Sequence, residues 1–277
     1  MPAPDSNTVY AINYPAGVTV TQDGTSSCVD FGGYHSDMQL PDGTDVAYTV
    51  VTRCPTDQYY TDIQYFTQTE SHELVEATTD PYPDYAPAWS QVDNAFLEWD
   101  GADGGSEVAD MCENDPQAVW VFHDSPYMVQ RFWSNAAAEG GHDPCMPGLP
   151  DEIYFNAMPV MTDTVSYTDP GVTTVDLPGV SVGVGASKTV ALDLYSDGPT
   201  SAPWTVSVQD YNQYFNGTAP DLSFALNQTT GQNGTRLELT ITPLTAGPGN
   251  TDIFFVLSTQ GVGSSAVSHY SMGIVSE

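Results

Sequence analysis

Short β-rich segments follow one another through residues 162–277, and this pattern constrains the fold more than any other feature of the chain. Several segments alternate apolar and polar side chains, as at 189–194 and 236–241, which is typical of strands with one buried face. Turn sequences rich in Gly, Pro and Asn separate them. About seven or eight short strands divided by turns predict an immunoglobulin-like β-sandwich. The predicted strands are 173–177, 180–184, 189–194, 204–209, 222–226, 236–241, 253–258 and 269–275.

The first part of the chain has a mixed pattern. It predicts strands at 9–14, 18–21 and 46–52, and helices at 65–78 and 128–139. The second helix is expected to stop at a Gly-Gly pair. The fold class predicted from both parts is α+β, with a mixed domain over 1–161 followed by an all-β accessory domain over 162–277.

The charge balance restricts the partners. The chain has 36 Asp and Glu against four Lys and Arg, and a formal net charge of −32. Affinity for nucleic acid and for anionic membranes comes mainly from Lys and Arg, so neither is expected as a partner. With 40% hydrophobic residues the chain is too apolar to be disordered, and its self-repulsion requires screening by salt or bound cations. Because basic residues are scarce throughout, a saline environment is the favoured interpretation.

The four cysteines include no CxxC pair, which predicts two disulfides formed in an oxidising compartment. The sequence leaves the pairing open, and Cys28–Cys54 with Cys112–Cys145 is favoured because both loops are short. No apolar run reaches the ~18 residues that a membrane-spanning helix needs. The opening sequence, MPAPDSN, has no signal-peptide core, so we expect a secreted protein whose export signal has been removed.

The strongest chemical pattern is TESHELVEATTDP at residues 69–81. His72 and Glu76 are four residues apart on a predicted helix and project from one face. His-Glu-x-x-Glu is similar to the zincin motif His-Glu-x-x-His, whose spaced side chains bind zinc and whose glutamate is the general base. The pattern therefore predicts a Zn²⁺ site held by His72 and Glu76, with Glu73 as the catalytic base. The simpler interpretation is a solvated helix in an acidic protein.

Further candidate ligands lie on either side of this segment. Glu107 and Asp110 are three residues apart in GSEVADMC and would share a helix face; Glu107 is favoured as the third ligand. Asp80 continues the face of the first two ligands, although the proline after it places it at the helix end. His35, in a Gly-rich segment between two cysteines, is a candidate metal ligand or oxyanion donor.

A second kind of metal site is suggested by the Asp- and Gly-rich loop at 93–105. Such oxygen ligands suit Ca²⁺, but the loop lacks the glutamate spacing of an EF-hand. The two interpretations of the loop are a secondary calcium site and acidic surface residues that bind no metal. Nearby aromatic side chains are candidates for one wall of a substrate cleft: Tyr82, Tyr85, Trp89 and Trp99.

Four stretches resemble a family of bacterial secreted, metallopeptidase-like proteins: CVDFGGYHSD, SHELVEATTDP, GSEVADMC and VQRFWSNAAAEGGHDPCMP. The family carries SHEL-x-EA-x-TDP, then GE-x-x-D-x-C and WSN. The YH and ExxDxC elements are also similar to plant phosphate-induced, EXORDIUM-type secreted proteins. The resemblance covers about residues 9–150 and implies secretion and a histidine–carboxylate metal site. The chain departs from true zincins at Glu76, because a carboxylate ligand lowers the power of the metal to acidify water.

Two functions of different classes fit these residues. The first is a secreted zinc metallopeptidase with a zincin-like domain, in which Glu73 activates water for attack on a peptide carbonyl. The second is a non-catalytic extracellular adhesion or binding protein, in which the same residues form a structural or degenerate metal site. Peptides and polysaccharide surfaces are the partners considered, and the oligomeric state is left open. An open coordination position would favour the first function.

Overall fold

A computed structural model describes residues 4, 5, 7–55, 60–83, 86, 88, 96, 99, 107–113, 115, 118–121, 126–146, 148, 152–168, 174–247, 251–261 and 266–277. These residues fall into two compact units. The first lies within Met1–Gln91 and Gly105–Trp133, and the second within Val92–Gly104 and Ser134–Glu277. Strand is the predominant secondary structure. The sequence-based boundary at residue 161 falls inside the second unit, since the sheets of that unit already begin at residue 155.

The first unit contains a three-stranded sheet and one long helix packed against it. Its strands are β1 (Val9–Tyr14), β2 (Thr21–Gln22), β3 (Thr25–Ser26), β4 (Gly33–Gln39), β5 (Asp45–Thr52), β6 (Val119–Val121) and β7 (Met128–Gln130). The sheet has the order β1-β5-β4, with β1 parallel and β4 antiparallel to β5. The pairs β2–β3 and β6–β7 are antiparallel.

The helix α1 (Asp62–Thr79) begins at a capping box. The Thr61 hydroxyl accepts a hydrogen bond from the Gln64 backbone, and the Gln64 side chain accepts one from the Thr61 N–H. Glutamate is almost never fully buried unless it is paired, yet most buried side chains of α1 are ionisable. These buried residues are His72, Glu73, Glu76 and Ala77. This face of the helix is therefore built for polar contacts.

Strand β4 carries His35 to that face of α1. His35 lies opposite Thr49 of β5, and the β5 residues on this side of the sheet, Ala47, Thr49 and Val51, are at most 2% exposed. Because side chains alternate along a strand, Gly33 and His35 share this side. The disulfide Cys28–Cys54, which closes a separation of 26 residues, joins the segment before β4 to the segment after β5.

The prediction that the cysteines form disulfides agrees with the structure. Cys28 is bonded to Cys54, as predicted. Cys112 and Cys145 are also disulfide-bonded, and all four cysteines are among the described residues, where none is free.

Among the elements predicted for the first part, the strands at 9–14 and 46–52 and the helix at 65–78 are confirmed. The helix predicted over 128–139 is wrong in its first half. Met128–Gln130 pairs with Val119–Val121 as a strand, and the helix α2 (Asn135–Glu139) begins only after Ser134, whose hydroxyl accepts the Ala137 N–H. The strand predicted at 18–21 is reduced to a two-residue strand at Thr21–Gln22.

The second unit consists mainly of two sheets. Its elements are β8 (Phe155–Pro159), β9 (Asp163–Thr168), β10 (Thr174–Ser181), β11 (Lys188–Ser196), β12 (Trp204–Asp210), α3 (Tyr211–Asn216), β13 (Leu222–Leu226), β14 (Thr230–Gly231), β15 (Arg236–Pro243), β16 (Thr251–Gln260) and β17 (Val267–Ser276). The described strands form a six-stranded sheet, β14-β12-β16-β17-β10-β9, and a four-stranded sheet, β13-β15-β11-β8.

Apolar side chains from both sheets share one core in this unit. Trp204 and Phe254 of the larger sheet pack in the same cluster as Leu192, Leu237 and Leu239 of the smaller one, and each is at most 1% exposed. The prediction of a sandwich-like β region is confirmed, and every predicted strand segment overlaps an observed strand. Among the described residues, no helix combines the length and the apolar character needed to cross a bilayer.

Candidate metal centre

Six ionisable side chains of the first unit form a contacting cluster in the lining of one cavity of about 300 Å³. Strand β4 contributes one of them, α1 contributes three, and the segment at the short 3-10 helix Asp110–Cys112 contributes two. They are His35, His72, Glu73, Glu76, Glu107 and Asp110. Buried ionisable groups must be paired or bind a metal.

Glu76 is at the centre of the cluster and is 1% exposed. Its Oε1 accepts hydrogen bonds from the backbone N–H groups of Ala109, at 3.1 Å, and Asp110, at 3.2 Å. Its Oε2 lies 3.5 Å from His35 Nδ1 and 3.3 Å from His72 Nε2. The two amides therefore fix the carboxylate and leave one oxygen directed at both imidazoles.

His72 has a different partner on each ring nitrogen. Nε2 lies 3.3 Å from Glu76 Oε2 and 3.2 Å from Asp110 Oδ1. Nδ1 lies 3.3 Å from Gln130 Oε1, and Gln130 Nε2 donates to the Ala109 carbonyl at 2.7 Å. Because the amide nitrogen of Gln130 is engaged there, its oxygen accepts from Nδ1–H. The second nitrogen, Nε2, is thus the one presented to the carboxylates.

His35 organises the other half of the cluster. Its Nδ1 is 3.9 Å from Glu73 Oε2, and its Nε2 is 3.4 Å from Glu107 Oε1. Within the described part of the chain, Nε2 is buried and has no partner in hydrogen-bonding geometry. Such orphaned buried nitrogens are rare, and an atom of a bound ligand in the cavity would satisfy this one.

The close approach of β4 to α1 depends on Gly33. A Cβ atom built there would lie 2.9 Å from Glu73 Oε1 and 2.8 Å from Thr69 Cγ2, closer than packed atoms can come. A larger residue at this position would displace the helix face that carries the cluster. The Gly-Gly pair in CVDFGGYHSD is therefore part of the site.

The histidines and Glu76 stabilise one another as charged groups. Burial alone would lower the pKa of His72, but hydrogen bonds with Asp110 and Glu76 raise it to about 12. Burial likewise opposes the charged form of His35, whose pKa is raised to about 9 by Glu76 and Glu107. Burial would raise the pKa of Glu76, yet hydrogen bonds from His35 and His72 lower it to about 2.

The other two glutamates shift in the opposite direction. Burial raises the pKa of Glu73 to about 8, against the attraction of His72. Burial and the charge of Glu76 raise the pKa of Glu107 to about 7. Carboxyl groups whose pKa values are pushed apart in one cavity are typical of functional sites.

The donor atoms of the cluster could hold a metal ion. Ligand atoms of His72, Glu76 and Asp110 lie within 4.8 Å of one another, as do those of His35, Glu73 and Glu76. Two ligands of a tetrahedral zinc ion, each at about 2.1 Å, are roughly 3.4 Å apart. The His72 contacts at 3.2 and 3.3 Å agree with that spacing. Imidazole with carboxylate suits zinc and other first-row ions.

The remaining sequence-based candidates are placed elsewhere. Asp80 is buried, and its Oδ1 accepts the Ala88 N–H at 2.8 Å; it does not line the cavity. The Tyr82 hydroxyl donates to the Asp45 carbonyl at 3.3 Å. Trp99 is 3% exposed and belongs to the second unit. Tyr85, Trp89 and the acidic residues of the proposed calcium loop at 93–105 lie outside the described residues.

Sequence reasoning did not find Gln130 or Ser71. The Ser71 hydroxyl accepts the Gln130 N–H at 2.9 Å, which anchors β7 to α1 beside His72. Both residues occur in the stretches that carry the family resemblance, but nothing in the local sequence links positions so far apart.

No protein-family model matches the chain, and no curated protein sequence matches it. Among solved structures, domains 4 and 5 of the S-layer protein SbsC match 43% of this chain at 16% identity, with a TM-score of 0.23. SbsC domains 1–6 match 93% of it at 10% identity, also with a TM-score of 0.23. The matches span 52% and 37% of those chains. Likeness at this TM-score supports no inference about this chain.

Proposed function

We propose that the first unit is a zincin-like, metal-dependent hydrolase site in which His72, Glu76 and Asp110 bind a divalent ion such as Zn²⁺. The observation that carries the proposal is the convergence of two histidines and six carboxylates on one cavity. A bound ion supplies Lewis acidity, polarising a carbonyl and making water more acidic. In this assignment Asp110 replaces Glu107 as the third ligand, because its carboxylate is 3.2 Å from His72 Nε2.

Glu73 is in position to act as the general base. It follows His72 directly in the chain, lines the same cavity and is 5% exposed. Its carboxylate has one ion-pair contact among the described residues, with His35 Nδ1 at 3.9 Å. An otherwise unengaged carboxylate beside the ligands can accept the proton of an attacking water.

His35 and Glu107 form a second functional pair on the cavity wall. His35 Nε2 lies 3.4 Å from Glu107 Oε1, and the surrounding carboxylates favour its charged form. An imidazolium here can donate a hydrogen bond to an oxyanion that develops on the substrate. We therefore assign His35 to oxyanion stabilisation and Glu107 to holding its orientation.

The charge of the cavity limits the class of substrate. Acidic side chains dominate its lining and repel anions, which disfavours phosphate esters. The acids that join the histidines there are Asp30, Glu73, Glu76, Glu107, Asp110 and Glu113. Phe31, Tyr34 and Tyr65 offer apolar contact area on the same lining. A neutral or cationic peptide segment suits these walls best.

The cavity is open, which favours catalysis over a purely structural metal site. The side chains of Glu107 and Asp110 are 32% and 24% exposed, whereas those of His35 and Glu76 are 3% and 2% exposed. Structural zinc sites are instead closed by four protein ligands. Solvent and substrate would reach the site from the side of Glu107 and Asp110.

The context of the site supports an extracellular protein. Disulfides persist in oxidising compartments, and all four cysteines are disulfide-bonded. The second unit would then be an immunoglobulin-like accessory module, presenting the hydrolase to a peptide or polysaccharide surface. The large excess of acids suits a saline medium.

The test of this function is peptide cleavage by the zinc- or cobalt-loaded protein. We expect a quenched fluorescent peptide to be cleaved by the wild type and by Glu70→Gln, a matched control on α1 that does not line the cavity. Glu73→Gln should retain the metal and lose about 100-fold or more in rate. Cleavage by Glu73→Gln at the wild-type rate would exclude Glu73 as the base. Metal binding without cleavage by the wild type would favour the non-catalytic binding protein.

A further inference from the structure

A separate carboxylate cluster lies at one end of the core of the second unit. Asp252 is 3% exposed, and neither of its carboxylate oxygens has a hydrogen-bond partner among the described residues. Glu277 Oε1 is also buried and lacks a partner there. An ionised carboxylate buried in this way is strongly unfavourable unless a cation or a proton compensates it.

The strand register gathers two acids on one face of the six-stranded sheet, and a third lies just beyond the end of β17. Asp252 on β16 lies opposite Val275 of β17, and Glu277 is two residues beyond Val275. Asp210, the last residue of β12, lies opposite Phe254, two residues after Asp252. Since side chains alternate along strands, Asp210 and Asp252 point to the side of the core residues Val275 and Phe254. Glu277 follows the end of β17, and its carboxyl group is a direct neighbour of Asp252.

A fourth acid, Asp221, comes from the segment that enters the other sheet. Its Oδ2 accepts the Asn212 side-chain amide at 2.8 Å, and its Oδ1 accepts the Thr245 hydroxyl. The adjacent Leu222 N–H donates to Asp210 Oδ2 at 3.1 Å. These bonds fix Asp210 and Asp221 in place near the end of the core.

Gly247 brings backbone directly against Asp252. A Cβ atom at Gly247 would overlap Asp252 Oδ1 and would lie 2.5 Å from the Thr251 carbonyl oxygen. The Gly247 N–H is 3.4 Å from Glu277 Oε2. Asp252 Oδ1 and Glu277 Oε2 therefore both lie close to Gly247, whose backbone forms one wall of the site.

No basic side chain of this unit compensates these acids. Its Lys and Arg residues, Lys188 and Arg236, pair with Asp163 and Asp193. Burial raises the pKa of Asp252 to about 8, and the neighbours that raise it further are all carboxylates. These neighbours are Glu277, Asp221 and Asp210.

We propose that this cluster is a calcium-binding site, with Asp252 and Glu277 as its principal ligands and Asp210 and Asp221 completing its negative charge. Carboxylate and carbonyl oxygens suit Ca²⁺, which tolerates irregular geometry, whereas zinc prefers nitrogen and sulfur. The Thr251 carbonyl adds an oxygen of the same kind. The site is independent of the metal centre in the first unit and does not rest on its proposed function.

The test is calcium titration of the full chain by calorimetry, with thermal unfolding in Ca²⁺ and in EGTA. High monovalent salt should screen general binding to surface acids. Asp252→Asn keeps the shape of the side chain, and Glu238→Gln is the matched control, an exposed acid on β15 of the same unit. We expect the wild type and Glu238→Gln to bind one more Ca²⁺ per chain than Asp252→Asn, and to melt higher with Ca²⁺.

The competing explanation is a proton shared between Asp252 and Glu277. In that case the wild type and Asp252→Asn would bind equal numbers of Ca²⁺ ions and melt alike in Ca²⁺ and EGTA, which would overturn the proposal. Glu277→Gln provides a second variant if Asp252→Asn does not fold. It should also lose one equivalent of Ca²⁺, and an unchanged stoichiometry in Glu277→Gln would equally count against the site.

Discussion

Replacing Gln130 by methionine should weaken metal binding without touching a ligand. Gln130 is 8% exposed, and it accepts from His72 Nδ1 at 3.3 Å while donating to the Ala109 carbonyl at 2.7 Å. It thus ties the imidazole to the backbone segment whose N–H groups hold Glu76. Methionine is similar in length but makes neither bond, so His72 loses the group that orients it while the packing is retained.

Two separate magnitudes follow from these contacts. Loss of an outer hydrogen bond to a ligating histidine lowers metal affinity about 10- to 100-fold, which corresponds to roughly 1.4 to 2.8 kcal/mol. The second effect is on stability, because the substitution leaves the buried Ala109 carbonyl without a hydrogen-bond donor. It should lower the free energy of unfolding of the metal-free protein by about 1 to 3 kcal/mol.

The assay is competition for Zn²⁺ against a chromophoric chelator, together with urea unfolding of the metal-free protein. Gln68→Met is the control, because Gln68 lines the same cavity but contacts Gln130 only at 3.4 Å. We expect its zinc affinity to stay within about threefold of the wild type, given the weakness of a bond at that distance. Equal affinity in Gln130→Met, Gln68→Met and the wild type would refute the reasoning that Gln130 orients His72 as a ligand.

Three further predictions concern stability. Replacing both Cys28 and Cys54 by serine should lower the free energy of unfolding by about 3 to 4 kcal/mol, as expected for a loop of this length, and an unchanged urea midpoint would contradict this. The folded-state pKa of His35, about 9, lies above its unfolded value of about 6.5. The stabilisation that protonated His35 gives to the fold is therefore complete below pH ~6.5 and is lost as the pH rises through 9. The metal-free protein should therefore melt lower at pH 9 than at pH 6.5, and Zn²⁺ should reduce the difference; a flat profile would argue against this environment. With 36 acids against four Lys and Arg, the melting temperature should rise with NaCl, and equal melting in low and high salt would overturn the saline interpretation.

The strands of the second unit could be predicted because their information is local. Alternation of apolar and polar residues at 189–194 predicts a strand, and the structure has β11 there (Lys188–Ser196). The helix predicted at 128–139 failed because pairing with Val119–Val121 is a tertiary contact. A three-residue apolar run fits a strand or a helix equally well until its partner is known.

The candidate site was predictable only where its spacing is helical. His72 and Glu76 are one turn apart on α1, and their 3.3 Å contact follows directly from that spacing. Similarity to zincins that take a glutamate from a second helix favoured Glu107 over Asp110. The chain there forms turns and a 3-10 helix, and Asp110 is the residue next to His72. The contact with Gln130 joins separate elements and leaves no local sequence signal.

The carboxylate cluster of the second unit was missed for a related reason. Asp210, Asp221, Asp252 and Glu277 come from separate segments, and each is an isolated acid in an acidic chain. Only the pairing of β12 with β16 and of β16 with β17 brings Asp210, Asp252 and the end of the chain at Glu277 together. The burial of Asp252 is likewise a property of the assembled sheets.

The most direct test of the metal centre is the transition-metal content of the protein after exposure to Zn²⁺ and removal of free ion, measured by mass spectrometry. The wild type and the control Glu70→Gln should each retain one zinc ion per chain. His72→Gln and Glu76→Gln should retain less than about a tenth of that, because each removes a ligand with strict geometry. A wild type without zinc, or variants that retain it fully, would contradict the account.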